Sequence, residues 1–253
     1  MSDIVTDHSG SILTIQLNRP AKKNAMTSSM YIAMADALRD AATDDHTRVV
    51  LWHGAGTSFT AGNDLEDFMK NPPGPGESPQ ARLINALIDF EKPLVAAVQG
   101  VAIGGGTTML AHCDFVYAGE SAKFQLPFVN LALVPEFGSS YLLPLRFGYV
   151  RAAELVLLGQ PFDASRAAEL GLVTQVVPDQ KLLVTATETA RKLAEKPTGA
   201  LQACKRLMKR TSREQLEQAV KFEMEEFAVR VRSAEAKQAF TAFFEKHAPA
   251  YDR

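Results

Sequence analysis

The run Val98-Gln99-Gly100-Val101-Ala102-Ile103-Gly104-Gly105-Gly106-Thr107-Thr108-Met109-Leu110 sets the tightest limit on how this chain folds. An apolar strand must pass through three consecutive glycines into a helix. Residues without a Cβ belong where a second backbone or a ligand comes close. Upstream, Phe59-Thr60-Ala61-Gly62-Asn63-Asp64-Leu65 makes another strand-to-helix turn with small residues at its apex. Two such turns can aim two backbone N–H groups at one point, which is how an oxyanion hole is built. Taken alone, the glycines fit a tight turn or close helix packing equally well. A phosphate cradle would need G-x-G-x-x-G or a G-K-[ST] ending, and neither occurs here.

The surrounding pattern is α/β. Ile4–Thr6 and Ile12–Leu17 flank Ser9-Gly10 and read as a hairpin. Thr27 opens a helix carrying Met30, Met34 and Leu38 at helical spacing. Val49–Trp52 is a buried strand ending at Gly54, and Asp64 is placed to cap a helix over Leu65–Lys70. Pro72-Pro73-Gly74-Pro75-Gly76 holds too many breakers for a regular element. A helix over Gln80–Phe90, a strand over Leu94–Val98, a helix over Thr107–His112 and a strand over Cys113–Tyr117 complete the alternation. Beyond Ser139 the pattern is mostly helical. One stripe is Leu182, Ala186, Ala190 and Leu193; a second is Leu216, Val220, Met224, Phe227 and Val231; a third is Ala236, Phe240 and Phe243. The division expected is a core over residues 1–195 and a helical region over 196–253.

Composition excludes several classes. With a net charge of −2 over 253 residues, no basic field is available for nucleic acid or an anionic membrane. No apolar run reaches the length of a membrane span. Met1-Ser2-Asp3-Ile4-Val5 reads straight into a strand, so no leader is expected. The two cysteines, Cys113 and Cys204, read as reduced thiols, and the expected location is cytoplasmic. His112-Cys113-Asp114 are adjacent residues that point apart, and no metal site is expected. There is no G-x-S-x-G elbow for a serine hydrolase.

The two turns, in this order and about forty residues apart, together with Arg19-Pro20-Ala21-Lys22-Lys23-Asn24-Ala25, resemble the crotonase superfamily, also called the enoyl-CoA hydratase/isomerase family. The resemblance covers roughly Ile4 to His247. It implies a spiral of ββα turns followed by C-terminal helices that pack in trimers, often paired into hexamers. It implies oxyanion donors at the N–H groups of Ala61 and Gly105. It places coenzyme A against Lys22, Lys23, Ala25, Ala61, Asp64, Leu65, Phe243 and Lys246. Each lysine could equally be a solvated turn residue, and Phe243 a core residue. No cofactor is implied beyond the coenzyme A that the substrate carries.

The chemistry turns on missing carboxylates. Hydratases of this family use two glutamates, whose places are taken here by Thr108 and by Phe128 in Leu126-Pro127-Phe128-Val129. Neither side chain is a general base near neutral pH. Glu136, in Leu133-Val134-Pro135-Glu136-Phe137-Gly138-Ser139-Ser140, has apolar neighbours whose packing would desolvate it and make it a stronger base. That stretch resembles the Δ3,Δ2-enoyl-CoA isomerases, in which a glutamate here is catalytic. The competing reading is a glutamate favoured by a helix N-terminus. Asp64 and Asp67 are rival carboxylates, expected to cap or solvate the Leu65 helix. For the acyl tail the candidates are Phe68, Met69, Leu83, Leu87, Phe128 and Leu142. The expected activity is a Δ3-to-Δ2 double-bond shift. A hydratase or other lyase on an unusual acyl-CoA, and a CoA-binding or structural subunit without turnover, are the alternatives.

Overall fold

The computed structural model describes residues 2–70 and 77–245. Its strands are β1 (Ile4–Ser9), β2 (Ile12–Leu17), β3 (Val49–Gly54), β4 (Leu94–Val98), β5 (Val101–Ile103), β6 (Phe115–Gly119), β7 (Lys123–Gln125), β8 (Phe162–Asp163) and β9 (Gln175–Val177). Six of them form one sheet in the order β1-β2-β3-β4-β6-β9. Within this sheet the β1–β2 hairpin is antiparallel and the other described pairs are parallel, with Leu13 opposite Val50 and Trp52 opposite Ala96.

Period-two alternation decides which side chains go where. On β3, Val50 and Trp52 enter the main core, whereas Val49 and Leu51 face the other side of the sheet. The main core is closed by α1 (Ser28–Thr43) and α3 (Pro79–Asp89). The opposite face is covered by α8 (Leu182–Ala194), whose Leu182, Ala186 and Ala190 pack on Val49, Leu51 and Val95. Burial on both faces explains why β4 reads as an unbroken apolar run, Leu-Val-Ala-Ala-Val.

A smaller sheet, in the order β5-β7-β8, opens after Gly100. The glycine run then enters α4 (Gly105–Thr108), which tightens into a 3₁₀ turn over Met109–His112. The strand expected to start at Cys113 starts instead at Phe115. Cys113 N–H closes the 3₁₀ turn on Leu110, and the Asp114 carboxylate accepts from Leu94 N–H. In the second turn, α2 (Leu65–Lys70) begins after Asp64, which accepts from the N–H groups of Glu66 and Asp67, as the capping expectation requires. Asp67 does something else: it accepts from the backbone N–H and hydroxyl of Ser28 and so ties α2 to the start of α1.

The remaining helices are α5 (Ser139–Phe147), α6 (Tyr149–Leu158), α7 (Ala164–Glu169), α9 (Thr198–Arg210), α10 (Arg213–Arg230) and α11 (Ala234–Glu245). Lys205 of α9 is buried against the core, donating to the Lys92 carbonyl and to Asp114. On α10 the buried stripe is Leu216, Val220, Glu223 and Phe227, not the expected one through Met224, which is exposed. α10 rests on α5, and this contact reaches the candidate site.

Candidate active site

Gly104 takes φ +55° and ψ −120°, a conformation open to glycine because it has no Cβ. Its N–H donates to the Gln125 carbonyl, fixing the turn. Gly105 is then the first residue of α4, where an N–H has no acceptor within the helix and the helix presents its positive end. A β-carbon on Gly105 would stand 2.7 Å from Glu136 Oε1 and 3.2 Å from the Tyr31 hydroxyl. The carboxylate of Glu136 therefore lies directly over the glycine turn.

Glu136 reaches that place through a turn in which Phe137 and Gly138 both adopt left-handed backbone, φ +65° and +68°. For phenylalanine this conformation is unfavourable and must be held from outside. Three contacts hold it. The buried His112 ring donates through Nε2 to the Phe137 carbonyl at 2.7 Å. The Ser139 hydroxyl donates to the Glu136 carbonyl at 2.6 Å. Glu223 of α10 accepts from the N–H groups of Gly138 and Ser140, each at 2.7 Å.

The Glu136 side chain is buried, and its pKa is pushed up to about 8. Burial is the largest cause and the Glu223 charge adds to it, while a hydrogen bond from the Asn63 amide opposes both. That amide donates from Nδ2 at 3.4 Å, and Asn63 Oδ1 in turn accepts from the Tyr31 hydroxyl at 2.5 Å. Burial, with the Glu136 charge second, holds the Tyr31 phenol well above its usual pKa, so it stays a neutral donor. Tyr31, Asn63 and Glu136 form one chain of hydrogen bonds ending at the glycine turn.

The carboxylate faces a cavity of about 330 Å³. Ala61, Leu65, Phe68, Gly105, Phe128 and Phe243 all line it, so these sequence candidates are brought together. Phe243 is 57% exposed at the cavity, which makes it a lining residue and not a core one. A smaller cavity of about 110 Å³ shares Phe68, Glu136 and Phe227 with the first.

Other candidates lie elsewhere. Leu83 and Leu87 are buried in the main core and line neither cavity; α3 turns Ala81 and Ile84 to the smaller one instead. Leu142 lines a separate cavity beside α9, and Met69 is exposed. Asp64 is drawn away by an ion pair with Arg19 at 3.0 Å and lines neither cavity beside Glu136. Lys22 and Lys23 are exposed, and Ala25 is half-buried, on the turn after β2. Lys246 lies outside the described residues, as does the loop Pro72–Gly76.

At Ala61, the other expected donor, the N–H donates to the Lys23 carbonyl at 2.9 Å. Lys23 and Asn24 are both left-handed, at φ 48° and 55°, which swings that carbonyl onto the Ala61 turn. The same contact, with the Thr60 hydroxyl donating to the Asn24 carbonyl, brings the lysine turn against the site. Sequence reading missed Tyr31, Asn63, His112 and Glu223. For Glu223 a signal existed, since positions 216, 220, 223 and 227 make a regular helical stripe with a glutamate inside it. Among the described residues, no three His, Cys, Asp or Glu side chains are grouped to hold a metal ion, and no helix is long and apolar enough to cross a membrane.

The chain belongs to the enoyl-CoA hydratase/isomerase family, whose profile matches residues 7–253. It is 36% identical over 247 residues to the 1,2-epoxyphenylacetyl-CoA isomerase of Escherichia coli K12, covering 95% of this chain and 94% of that one. It is 35% identical to enoyl-CoA delta isomerase 2 of Rattus norvegicus, covering 95% of this chain but 63% of that longer protein. Relatives bearing hydratase names match at comparable identity. A crystal structure of an enoyl-CoA hydratase/isomerase from Pseudoalteromonas atlantica T6c superposes with a TM-score of 0.95 at 40% identity, covering 99% of this chain and all of that one.

Proposed function

We propose that the protein moves the double bond of a 3-enoyl-CoA thioester to the 2-position, with Glu136 as the single base. One observation carries this reading. Among the described residues, Glu136 is the one acidic or basic side chain lining the larger cavity, and its carboxylate stands over Gly105. Thr108 is fully buried in α4, its hydroxyl near the carbonyls of Gly104 and Gly105, and Phe128 fills part of the cavity wall. Among the described residues no second carboxylate lines this cavity to activate water, whereas a double-bond shift needs one base that gives back what it takes.

In the proposed step the Glu136 carboxylate removes a proton from C2. The electron pair spreads over C2, C3 and C4 and the thioester oxygen, which becomes a dienolate oxygen held by the Gly105 N–H and the N-terminus of α4. The Glu136 carboxyl returns the same proton at C4, leaving the double bond between C2 and C3. Ala61 N–H joins as second donor by exchanging the Lys23 carbonyl for the substrate oxygen. The coenzyme A lies along the Lys22–Ala25 turn and the Ala61–Leu65 turn toward Phe243, and the acyl chain lies among Phe68, Phe128 and Phe227. The chemistry draws on no group beyond the coenzyme A of the substrate.

Residues 196–253 serve in this reading as an oligomerisation region for a trimer or a pair of trimers. Its support is a set of exposed apolar side chains on α9 and α10, Leu207, Met208, Phe222 and Val229. Light scattering on the purified protein tests the oligomer. The activity is tested by feeding a 3-enoyl-CoA and a 2-enoyl-CoA to the wild type and to Glu136→Gln. Conversion of the 3-enoyl to the 2-enoyl substrate should fall by about two to four orders of magnitude in the mutant. Hydration of the 2-enoyl substrate without isomerisation would overturn the reading, and so would acyl-CoA binding with no product.

A further inference from the structure

α10 carries a second buried carboxylate beside the base, and it belongs to no expected part of the site. Glu223 is 7% exposed and makes no ion pair with lysine, arginine or histidine among the described residues. Its two oxygens are both spent on backbone, one on Gly138 N–H and the other on Ser140 N–H. Burial pushes the Glu223 carboxyl above its usual range, and the hydrogen bonds from Ser140 and Gly138, at the positive end of α5, oppose that push and favour the charged form.

The turn it grips is the one that aims Glu136. Gly138 is packed so tightly under α10 that a β-carbon there would meet the Leu216 side chain at 2.2 Å. The left-handed pair Phe137–Gly138 is clamped on one side by His112, through the Phe137 carbonyl, and on the other by Glu223, through the next N–H. Glu223 lines the smaller cavity together with Glu136 but does not line the larger one, where the substrate is proposed to react.

We propose that Glu223 is the positioning residue for the base: it holds the Phe137–Ser140 turn so that Glu136 stands over Gly105, and it moves no proton itself. A carboxylate whose two oxygens both accept backbone hydrogen bonds is poorly placed to shuttle a proton, which separates this role from a second acid. After burial, its negative charge is the next influence raising the proton affinity of Glu136, and the Asn63 amide opposes both. The role rests on the isomerase reading for its rate consequence but not for its structural one.

The test follows two readouts in wild type, Glu223→Gln and Glu223→Asp. The first is an infrared titration of the Glu136 carboxyl, identified as the band absent from Glu136→Gln. The second is steady-state isomerisation of a 3-enoyl-CoA. In Glu223→Gln the charge is gone and one N–H loses its acceptor. The Glu136 midpoint should fall by about one pH unit or more, and kcat by about 10- to 100-fold with KM held within about threefold. Glu223→Asp keeps the charge on a shorter stem, so kcat should fall while the midpoint stays within about half a unit. A lower melting temperature with midpoint and kcat both unchanged would overturn the proposal and leave Glu223 a plain helix cap. If Glu223→Gln does not fold, an unchanged kcat in Glu223→Asp is overturning by itself. If the wild type fails to isomerise, the activity reading falls, and the infrared titration still decides the role of Glu223.

Discussion

Glu136 Oε1 lies 2.7 Å from the point where a β-carbon on Gly105 would stand. Base and turn are in mutual contact, so one methyl group at position 105 must displace the carboxylate, the Tyr31 hydroxyl, or both. Gly105→Ala should fold, since its own φ is not left-handed, yet lose about 100-fold or more in kcat through misplacement of the base. Circular dichroism alongside the isomerase assay checks this; an unaffected kcat would show that the contact is irrelevant to turnover.

With a pKa of about 8, free Glu136 is mostly protonated at neutral pH. The base form grows as pH rises, so kcat/KM on a 3-enoyl-CoA should climb tenfold per unit below about pH 7 and level off above about 8. A rate already flat from pH 5 upward would contradict the assignment.

The same shift has a stability consequence of definite sign. The folded protein holds a proton on Glu136 over a range in which the unfolded chain has released it, between the ordinary 4.5 and about 8. Folding is therefore progressively disfavoured as pH rises through that window. Glu136→Gln removes the penalty, so its gain over wild type should be near zero at pH 4 and on the order of 3–5 kcal/mol by pH 9. Urea melts at the two pH values measure it.

His112 works in the opposite sense. Burial is the main reason its pKa falls to about 3; the Lys209, Arg146 and Lys205 charges add to it, and its bond to Phe137 opposes it. Below the ordinary 6.5 the unfolded chain takes a proton that the folded protein refuses, so stability is lost as pH falls from about 6.5 toward 3. In His112→Gln the amide can still donate to the Phe137 carbonyl, but the acid-linked loss, about 3 kcal/mol between pH 6.5 and 4, should disappear. Thermal melts of both proteins across that range decide it.

Asp64 tests the turn apart from the base. Burial alone would raise its carboxyl, but hydrogen bonds from the Asp67 N–H and from Arg19, with the Arg19 charge, hold it below the usual 3.8. Its contribution is thus present above pH 3.8 and lost as pH falls through the lower folded value. Asp64→Ala should cost about 1–2 kcal/mol at pH 7 through the lost cap of α2. The pH profile of kcat/KM should keep its midpoint, because Asp64 lines neither cavity beside Glu136.

What the sequence made legible was local. The glycine run, the upstream turn and the capping aspartate are short segments whose residues meet each other directly, so their local geometry is readable without knowledge of the rest. Glu136 was legible because its apolar neighbours and its place before a helix are both within a few residues. Glu223 was not, since it meets the turn across 85 residues of chain. Tyr31 likewise reaches Asn63 from another helix, 32 residues away. The acyl candidates failed on α3 for a different reason. Ala81, Leu83, Ile84 and Leu87 are all buried there, and helical spacing cannot tell a face against the core from a face against a cavity when both are apolar.

The hydrogen bond from Ala61 N–H to the Lys23 carbonyl gives this turn a built-in comparison. Any oxygen that arrives at that donor must outbid a peptide carbonyl already seated there. A neutral thioester oxygen is no better an acceptor, so exchange at that point would bring a ground-state substrate almost nothing. An oxygen that has gained negative charge is a much stronger acceptor, and the exchange turns favourable as the proton leaves carbon. On the proposed function, a donor held in this way discriminates by charge and not by shape, and the Ala61 N–H is already paired before substrate arrives.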